Sequence, residues 1–216
     1  MIVGERKPLP EILKLLDGFK RVLVLGCGTC VAVCMSGGEK EAKELAALLR
    51  LKGFEAWSAT VERQCEVEFN RLVGEEVEKA EAVLSLACGV GVQALAELYS
   101  QKMVYPALNT TFMGLPVEQG LWEERCAGCG DCLLHLFGGI CPVTRCAKSL
   151  LNGPCGGSKG GKCEVRPERD CAWQLIFEKF KSLGRVEELL RIEPPKDWSY
   201  SRYGGHRKMV REDVRL

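Results

Sequence analysis

Two periods of apolar and polar residues alternate along the first hundred positions. RVLVLG (21–26) and AVLSLA (82–87) are unbroken apolar runs, the pattern of parallel strands buried on both faces. FEAWSAT (54–60) alternates and predicts a third strand, and KMVYPAL (102–108) predicts a fourth. Helical spacing fills the gaps. PLPEILKLLDGF (8–19) predicts a short opening helix. EKEAKELAALLRLKG (39–53) predicts a longer one with a glycine just past its end. EVEFNRLVGEEVEKA (66–80) predicts an acidic helix with a solvated face, and VQALAELYSQ (92–101) another. Strand–helix alternation of this kind implies an α/β fold: a small Rossmann-like parallel sheet in three layers, over residues 1–108.

The pattern then fails. Residues 106–122 lose periodicity and carry two prolines, so 109–122 is expected to be an extended linker. Residues 123–165 are rich in cysteine and glycine without a period. Such a segment gains its order from bound metal. Helical spacing returns over 170–192, broken near Gly184. The expected second domain, 123–195, is therefore an irregular cysteine-rich metal-cluster domain with C-terminal helices. The tail, 196–216, carries Trp198, Tyr200 and Tyr203 among basic residues. It is expected to be a docking arm for a partner or a flexible end.

Composition narrows the function. The 216 residues are 46% apolar and 27% charged, enough for a real core. The formal net charge of +1 argues against a nucleic-acid partner. Charge is split, with 13 basic and 16 acidic residues over 1–120 and 17 and 13 over 121–216. No run of about 18 apolar residues predicts a membrane span. The N-terminal MIVGERKPLPEILKLL lacks the pattern of a secretory leader, so a reducing, cytoplasmic setting is expected. The chain holds 13 cysteines beside two histidines. A chain of this length needs no disulfide staples. Thiols in a reducing compartment point instead to zinc or iron–sulfur ligation.

The cysteines fall into two groups. Cys27, Cys30 and Cys34 follow the first predicted strand, Cys65 follows the second, and Cys88 ends the third. In a doubly wound sheet the carboxyl ends of neighbouring strands face one crevice, where ligands bind. The favoured assignment is a [4Fe–4S] cluster on Cys27, Cys30, Cys65 and Cys88, with Cys34 able to replace either of the last two. GCG and CGVG also suit a phosphate cradle, but a full G-x-G-x-x-G is absent. Cys27-x-x-Cys30 also suits a redox dithiol, and buried cysteine is an ordinary core residue. The second group is Cys126, Cys129, Cys132, Cys141, Cys146, Cys155, Cys163 and Cys171. C-x-x-C-x-x-C is the spacing by which a ferredoxin loop wraps three corners of a cubane, and Cys141-Pro142 echoes the Cys-Pro that closes such motifs. Zinc is the rival, with His135 as a further donor. His135 and His206 otherwise have no partner in their local sequence. No G-x-S-x-G, H-E-x-x-H or P-loop occurs, so no catalytic residue is assigned.

The run from Glu124 to Cys171, ERCAGCGDCLLHLFGGICPVTRCAKSLLNGPCGGSKGGKCEVRPERDC, followed by AWQLIFEKF, resembles the methylenetetrahydrofolate reductase C-terminal domain. That domain is found in the small iron–sulfur subunit of the acetogen-type reductase. GCGTCVAVCMSGGEKE near the N-terminus is similar to the same subunit. The resemblance implies a non-catalytic electron-relay subunit of an oxidoreductase complex, with at least two [4Fe–4S] clusters, one in each cysteine group. It places FMN or FAD on a separate folate-reducing partner. A low-potential donor, such as ferredoxin or a further redox subunit, would supply electrons. The partner would convert 5,10-methylenetetrahydrofolate to 5-methyltetrahydrofolate, in the methyl branch of the Wood–Ljungdahl pathway or its reverse. A zinc-binding interaction module within a redox complex is the alternative. A stand-alone enzyme using the N-terminal crevice lacks acid–base residues.

Overall fold

A computed structural model of the chain describes residues 1–215. It divides into two compact units, residues 1–123 and 124 onward.

The first unit is built on four parallel strands: β2 (Arg21–Cys27), β3 (Glu55–Val61), β4 (Ala82–Ser85) and β5 (Met103–Pro106). They lie in the order β3-β2-β4-β5. Strand β2 is central, pairing Leu25 with Ala59 on one side and with Ser85 on the other. Its unbroken apolar run reflects burial on both faces. Val22 and Val24 pack with Ile12 and Leu16 of α1 (Leu9–Leu15) and its C-cap, and with Ala42, Leu45 and Leu49 of α3 (Glu39–Leu51). Leu23 and Leu25 pack with Val77 of α5 (Gly74–Lys79) and Leu95 of α6 (Gly89–Leu98). Two helical layers thus enclose the sheet, as the alternation of strand and helix predicts.

Sharp packing occurs where helices meet strand ends. Gly91 opens α6 against the loop that follows β3. A Cβ there would lie 2.8 Å from the Cβ atoms of both Ala87 and Gln64. Alanine is the better helix former by about 1 kcal/mol. Gly91→Ala is nonetheless expected to lower stability by about 1–3 kcal/mol, because overpacking outweighs propensity. A urea midpoint equal to or above wild type would contradict this packing.

Three segments differ from expectation. The supposed linker, 109–122, is regular structure. Strand β6 (Leu108–Glu118) and β7 (Leu121–Cys126) form a hairpin turning at Gly120, whose φ is +86°. An unpredicted opening strand, β1 (Ile2–Arg6), pairs antiparallel with β6, from Ile2 opposite Met113 to Arg6 opposite Leu108. The sheet order is β1-β6-β7. Ala107 joins the two sheets: its N–H donates to Ser85 O at 2.8 Å, and its carbonyl accepts from the Lys7 N–H at 2.9 Å. The acidic helix of 66–80 is two, α4 (Val67–Arg71) and α5. Asn70 O takes the Tyr99 hydroxyl at 3.0 Å and the Val73 N–H at 3.4 Å, which closes α4 before Gly74.

The second unit has little regular structure. It contains α7 (Pro142–Arg145), α8 (Ala172–Ser182) and short 3₁₀ turns, including Leu134–Leu136 and Val186–Leu190. Helix α8 is shorter than the predicted 170–192, and the chain breaks at Gly184, with φ +65°. Its core is small: Phe137, Trp173, Ile176 and Phe180. Among the described residues no helix is long and apolar enough to cross a membrane.

Candidate metal centres

The carboxyl ends of β2, β3 and β4 bring the N-terminal thiols together. Cys27 is the last residue of β2. Cys30 begins the short helix α2 (Cys30–Val33) in the following loop. Cys65 lies four residues beyond the end of β3, and Cys88 caps α6 after β4. Chain order reverses between β2 and β4, the switch point at which doubly wound sheets take ligands. Burial is the main influence on Cys27 and pushes its thiol pKa up. The backbone N–H groups of Gln64 and Thr29 oppose that shift, while the nearby charges of Cys65 and Cys88 add to it. Cys65 and Cys88 thus lie near Cys27 at this edge of the sheet. Cys34 is placed differently. It is 6% exposed, and its sulfur has Ser36 Oγ at 3.1 Å, Val31 O at 3.6 Å and Gly4 O at 3.8 Å. That thiol is satisfied within the core.

Gln64, immediately before Cys65, is fully buried and braces the crevice. Its Nε2 donates to Leu25 O at 2.9 Å and Gly26 O at 3.1 Å, at the end of β2. Its Oε1 accepts from Ser85 Oγ of β4 at 2.6 Å. Its carbonyl accepts from Asn70 Nδ2 at 2.8 Å. One amide thus ties the Cys65 loop to two strand ends. No sequence pattern marks it, because a lone glutamine in RQCE has no periodic signature. Removing it strands buried polar groups, so Gln64→Ala is expected to cost about 2–4 kcal/mol in denaturant unfolding. A change below about 0.5 kcal/mol, the range of ordinary surface substitutions, would contradict the brace.

In the second unit three thiols share one loop, four line one hollow and Cys141 stands at the start of α7. Cys126, Cys129 and Cys132 share one loop, in which Gly128 N–H donates to Cys126 Sγ at 3.4 Å. The Cys129 thiol donates to Asp131 O at 3.5 Å. Cys141 caps α7, with its thiol 3.6 Å from Thr144 Oγ1. Cys146, Cys155, Cys163 and Cys171 instead line one hollow, together with Trp173, Lys148 and Glu164. Trp173 Nε1 donates to Leu150 O at 2.9 Å and fixes one wall. Cys163 and Cys171 are set by N–H bonds to Arg169 O and Gly161 O. Glu164 accepts from the Cys155 thiol at 3.4 Å and pairs with Lys148. Those two partners, Lys148 first, hold its carboxyl below the usual range. Among the described residues, no group of three or more His, Cys, Asp or Glu side chains is gathered closely enough to hold a metal ion. His135 stands exposed in its 3₁₀ turn, and His206 is exposed in the tail.

Residues 105–199 match the family model of the methylene-tetrahydrofolate reductase C terminal. The match takes in a little under half of the chain. It begins in β5 and includes the β6–β7 hairpin, all eight C-terminal cysteines and α8. No curated protein matches the chain, and no solved structure does. The C-terminal part is therefore similar to the C-terminal segment of methylene-tetrahydrofolate reductases. The family segment is wider than the expected 123–195, because the hairpin belongs to it. The tail also differs in character from a free arm. Lys196 is buried, and the chain from 196 to 207 lies on the Cys126–Cys132 loop, although Tyr200 and Tyr203 remain exposed.

Proposed function

We propose that this chain is the electron-transfer subunit of a methylenetetrahydrofolate reductase complex, holding [4Fe–4S] clusters and serving a flavin-binding partner that reduces the folate. The observation that carries the proposal is the family match over 105–199, which encloses all eight C-terminal cysteines. The donor chemistry fits. Clusters of this kind are held by thiolates and tuned by backbone N–H groups directed at sulfur. Cys27, Cys65 and Cys88 are thiols near one another at the crevice, and Cys126 Sγ accepts from the Gly128 N–H. Cys30 is the fourth candidate at the crevice. In the second unit the ligands are drawn from Cys126, Cys129, Cys132, Cys141, Cys146, Cys155, Cys163 and Cys171, of which Cys146, Cys155, Cys163 and Cys171 line one hollow. Bound clusters would supply one-electron transfer. The residues of the chain hold and insulate them: Gln64 braces the crevice, Trp173 walls the hollow, and no acid or base is required. FMN or FAD belongs to the partner, and a low-potential one-electron donor or further redox subunit to the other side.

Zinc at a single place is the second reading: Cys146, Cys155, Cys163 and Cys171 line one hollow, and a zinc held by the four would be structural.

Iron, zinc and acid-labile sulfide measured on anaerobically purified protein test the proposal. About eight to twelve irons, matched by sulfide and bleaching with dithionite, support two or three clusters. About eight irons and one zinc assign zinc to the hollow. Zinc without sulfide overturns the electron-transfer reading and leaves an interaction module. With the flavoprotein partner added, reduced clusters are expected to pass electrons to its flavin.

A further inference from the structure

Lys196 keeps 1% of its side chain exposed, and its partners do not account for its burial as a stabilising device. Its Nζ donates to Asp131 O at 2.5 Å and lies 3.3 Å from Asp131 Oδ2. The Trp198 ring centroid is 5.8 Å away. The two carboxylate neighbours of Lys196 are both open to water: Asp131 is 46% exposed, and Asp197, whose pKa is lowered by its Ser199 hydrogen bonds first and by the Lys196 charge last, is a surface residue. Taking an ammonium out of water for so little Coulombic return is at best neutral for folding. What the geometry achieves is placement. Asp131 sits between Cys129 and Cys132, and the Cys129 thiol reaches the same carbonyl oxygen at 3.5 Å. The two distances together bound the Nζ–Sγ separation at about 6 Å.

A second cation from the tail repeats the contact. Arg207 Nη1 donates to Gly128 O at 3.1 Å and to Tyr200 O at 2.8 Å. At Gly130, with φ +88°, a Cβ would meet Tyr200 O at 2.1 Å, so tail backbone lies directly on loop backbone. Lys196 and Arg207 therefore grip main-chain carbonyls on both sides of Cys129.

We infer that the segment from Lys196 to Arg207 is a strap on the Cys126–Cys129–Cys132 loop, and that Lys196 is a positioning residue whose fixed charge raises the reduction potential of the cluster held there. The inference rests on the electron-transfer reading. One electron from a low-potential carrier, itself oxidised by one electron, adds one negative charge beside the thiolates. A buried cation no more than about 6 Å from one of those sulfurs favours the reduced form by Coulombic attraction. The Asp131 carboxylate acts in the opposite sense.

The test uses the full chain, purified anaerobically, as wild type, Lys196→Met, Lys196→Arg and Asp131→Asn. Iron and sulfide are measured first, then each cluster is titrated potentiometrically by electron paramagnetic resonance. Lys196→Met is expected to shift the reduction equilibrium of one cluster at least tenfold toward the oxidised form, a fall of about 59 mV for one electron. Asp131→Asn is expected to shift the same cluster the other way, and Lys196→Arg to stay near wild type. Opposite shifts distinguish a charge effect from loosened structure. Unchanged potentials at full iron content, or shifts of the same sign in both neutral variants, overturn the inference while leaving the electron-transfer reading intact. If Lys196→Met loses its iron, Asp131→Asn decides: an upward shift supports the inference and no shift overturns it. Wild type without iron and sulfide overturns both.

Discussion

Exchanging Cys88 for serine is expected to remove about four irons per chain, one whole [4Fe–4S] cluster, while the C-terminal thiols stay loaded. The same exchange at Cys34 is expected to leave iron and sulfide unchanged. Both residues are thiols near the first sheet, and their surroundings separate them. Cys88 is half-buried at the N-terminus of α6, with its charge within reach of Cys27. Serine is a good N-cap, so the substitution removes a ligand without removing the helix start. Cys34 is closed into the core beside Val31, Ser36 and Gly4, and serine there preserves a small polar atom among the same oxygens. Chemical denaturation of both variants should stay within about 1–2 kcal/mol of wild type, the usual range for a conservative change. Iron loss at Cys34→Ser, or full iron at Cys88→Ser, would refute the choice of ligands around the crevice.

The contrast between those two cysteines shows what the sequence could and could not convey. Strands β2 and β4 were legible because burial on both faces writes itself as an unbroken apolar run. The cysteines at their carboxyl ends were legible for the same reason, since a parallel sheet sends such ends to one edge. The direction of a thiol within a loop leaves no mark on spacing, so from sequence Cys34 stays a possible replacement for Cys65 or Cys88. Strand β6 was hidden by its own composition. NTTFMGLPVE carries glycine and proline, and most of its positions are exposed, so no period survives. Its partner β1 lies a hundred residues away, and the register between them shifts at Val3 and Gly4. A local pattern cannot report that pairing. Gln64 and Lys196 were missed for a related reason. Each acts through contacts to backbone carbonyls that sequence distance conceals, and a buried polar side chain is a solitary event without a period.

Stripping metal from the full chain with a chelator, under reducing anaerobic conditions, is expected to melt residues 126–171 and leave the parallel sheet folded. The sheet carries its own core on both faces, with Val22, Leu23, Val24, Leu25 and Leu84 fully buried. It needs no ligand to hold those side chains together. Among the described residues the second unit buries five hydrophobic side chains, Phe137, Ala172, Trp173, Ile176 and Phe180, and its long stretch from Cys126 to Cys171 contains one four-residue helix and one 3₁₀ turn. Conformational entropy of about 1–2 kcal/mol per residue opposes ordering such a stretch. Metal–thiolate binding, on the order of 10 kcal/mol for a structural site, is the interaction suited to fix it. Hydrogen exchange reads the outcome residue by residue. Amides of Leu23, Leu25, Leu84 and Leu86 should remain slow after chelation, while those of Cys163 and Cys171, bonded to Arg169 O and Gly161 O, should become fast. The β6–β7 hairpin is the informative boundary. It belongs to the matched family segment but packs with the first unit through β1, so it should keep its protection. Slow exchange at Cys163 and Cys171 in metal-free protein would show that the cysteine-rich unit folds on its side chains alone, and its thiols would then lose their structural role.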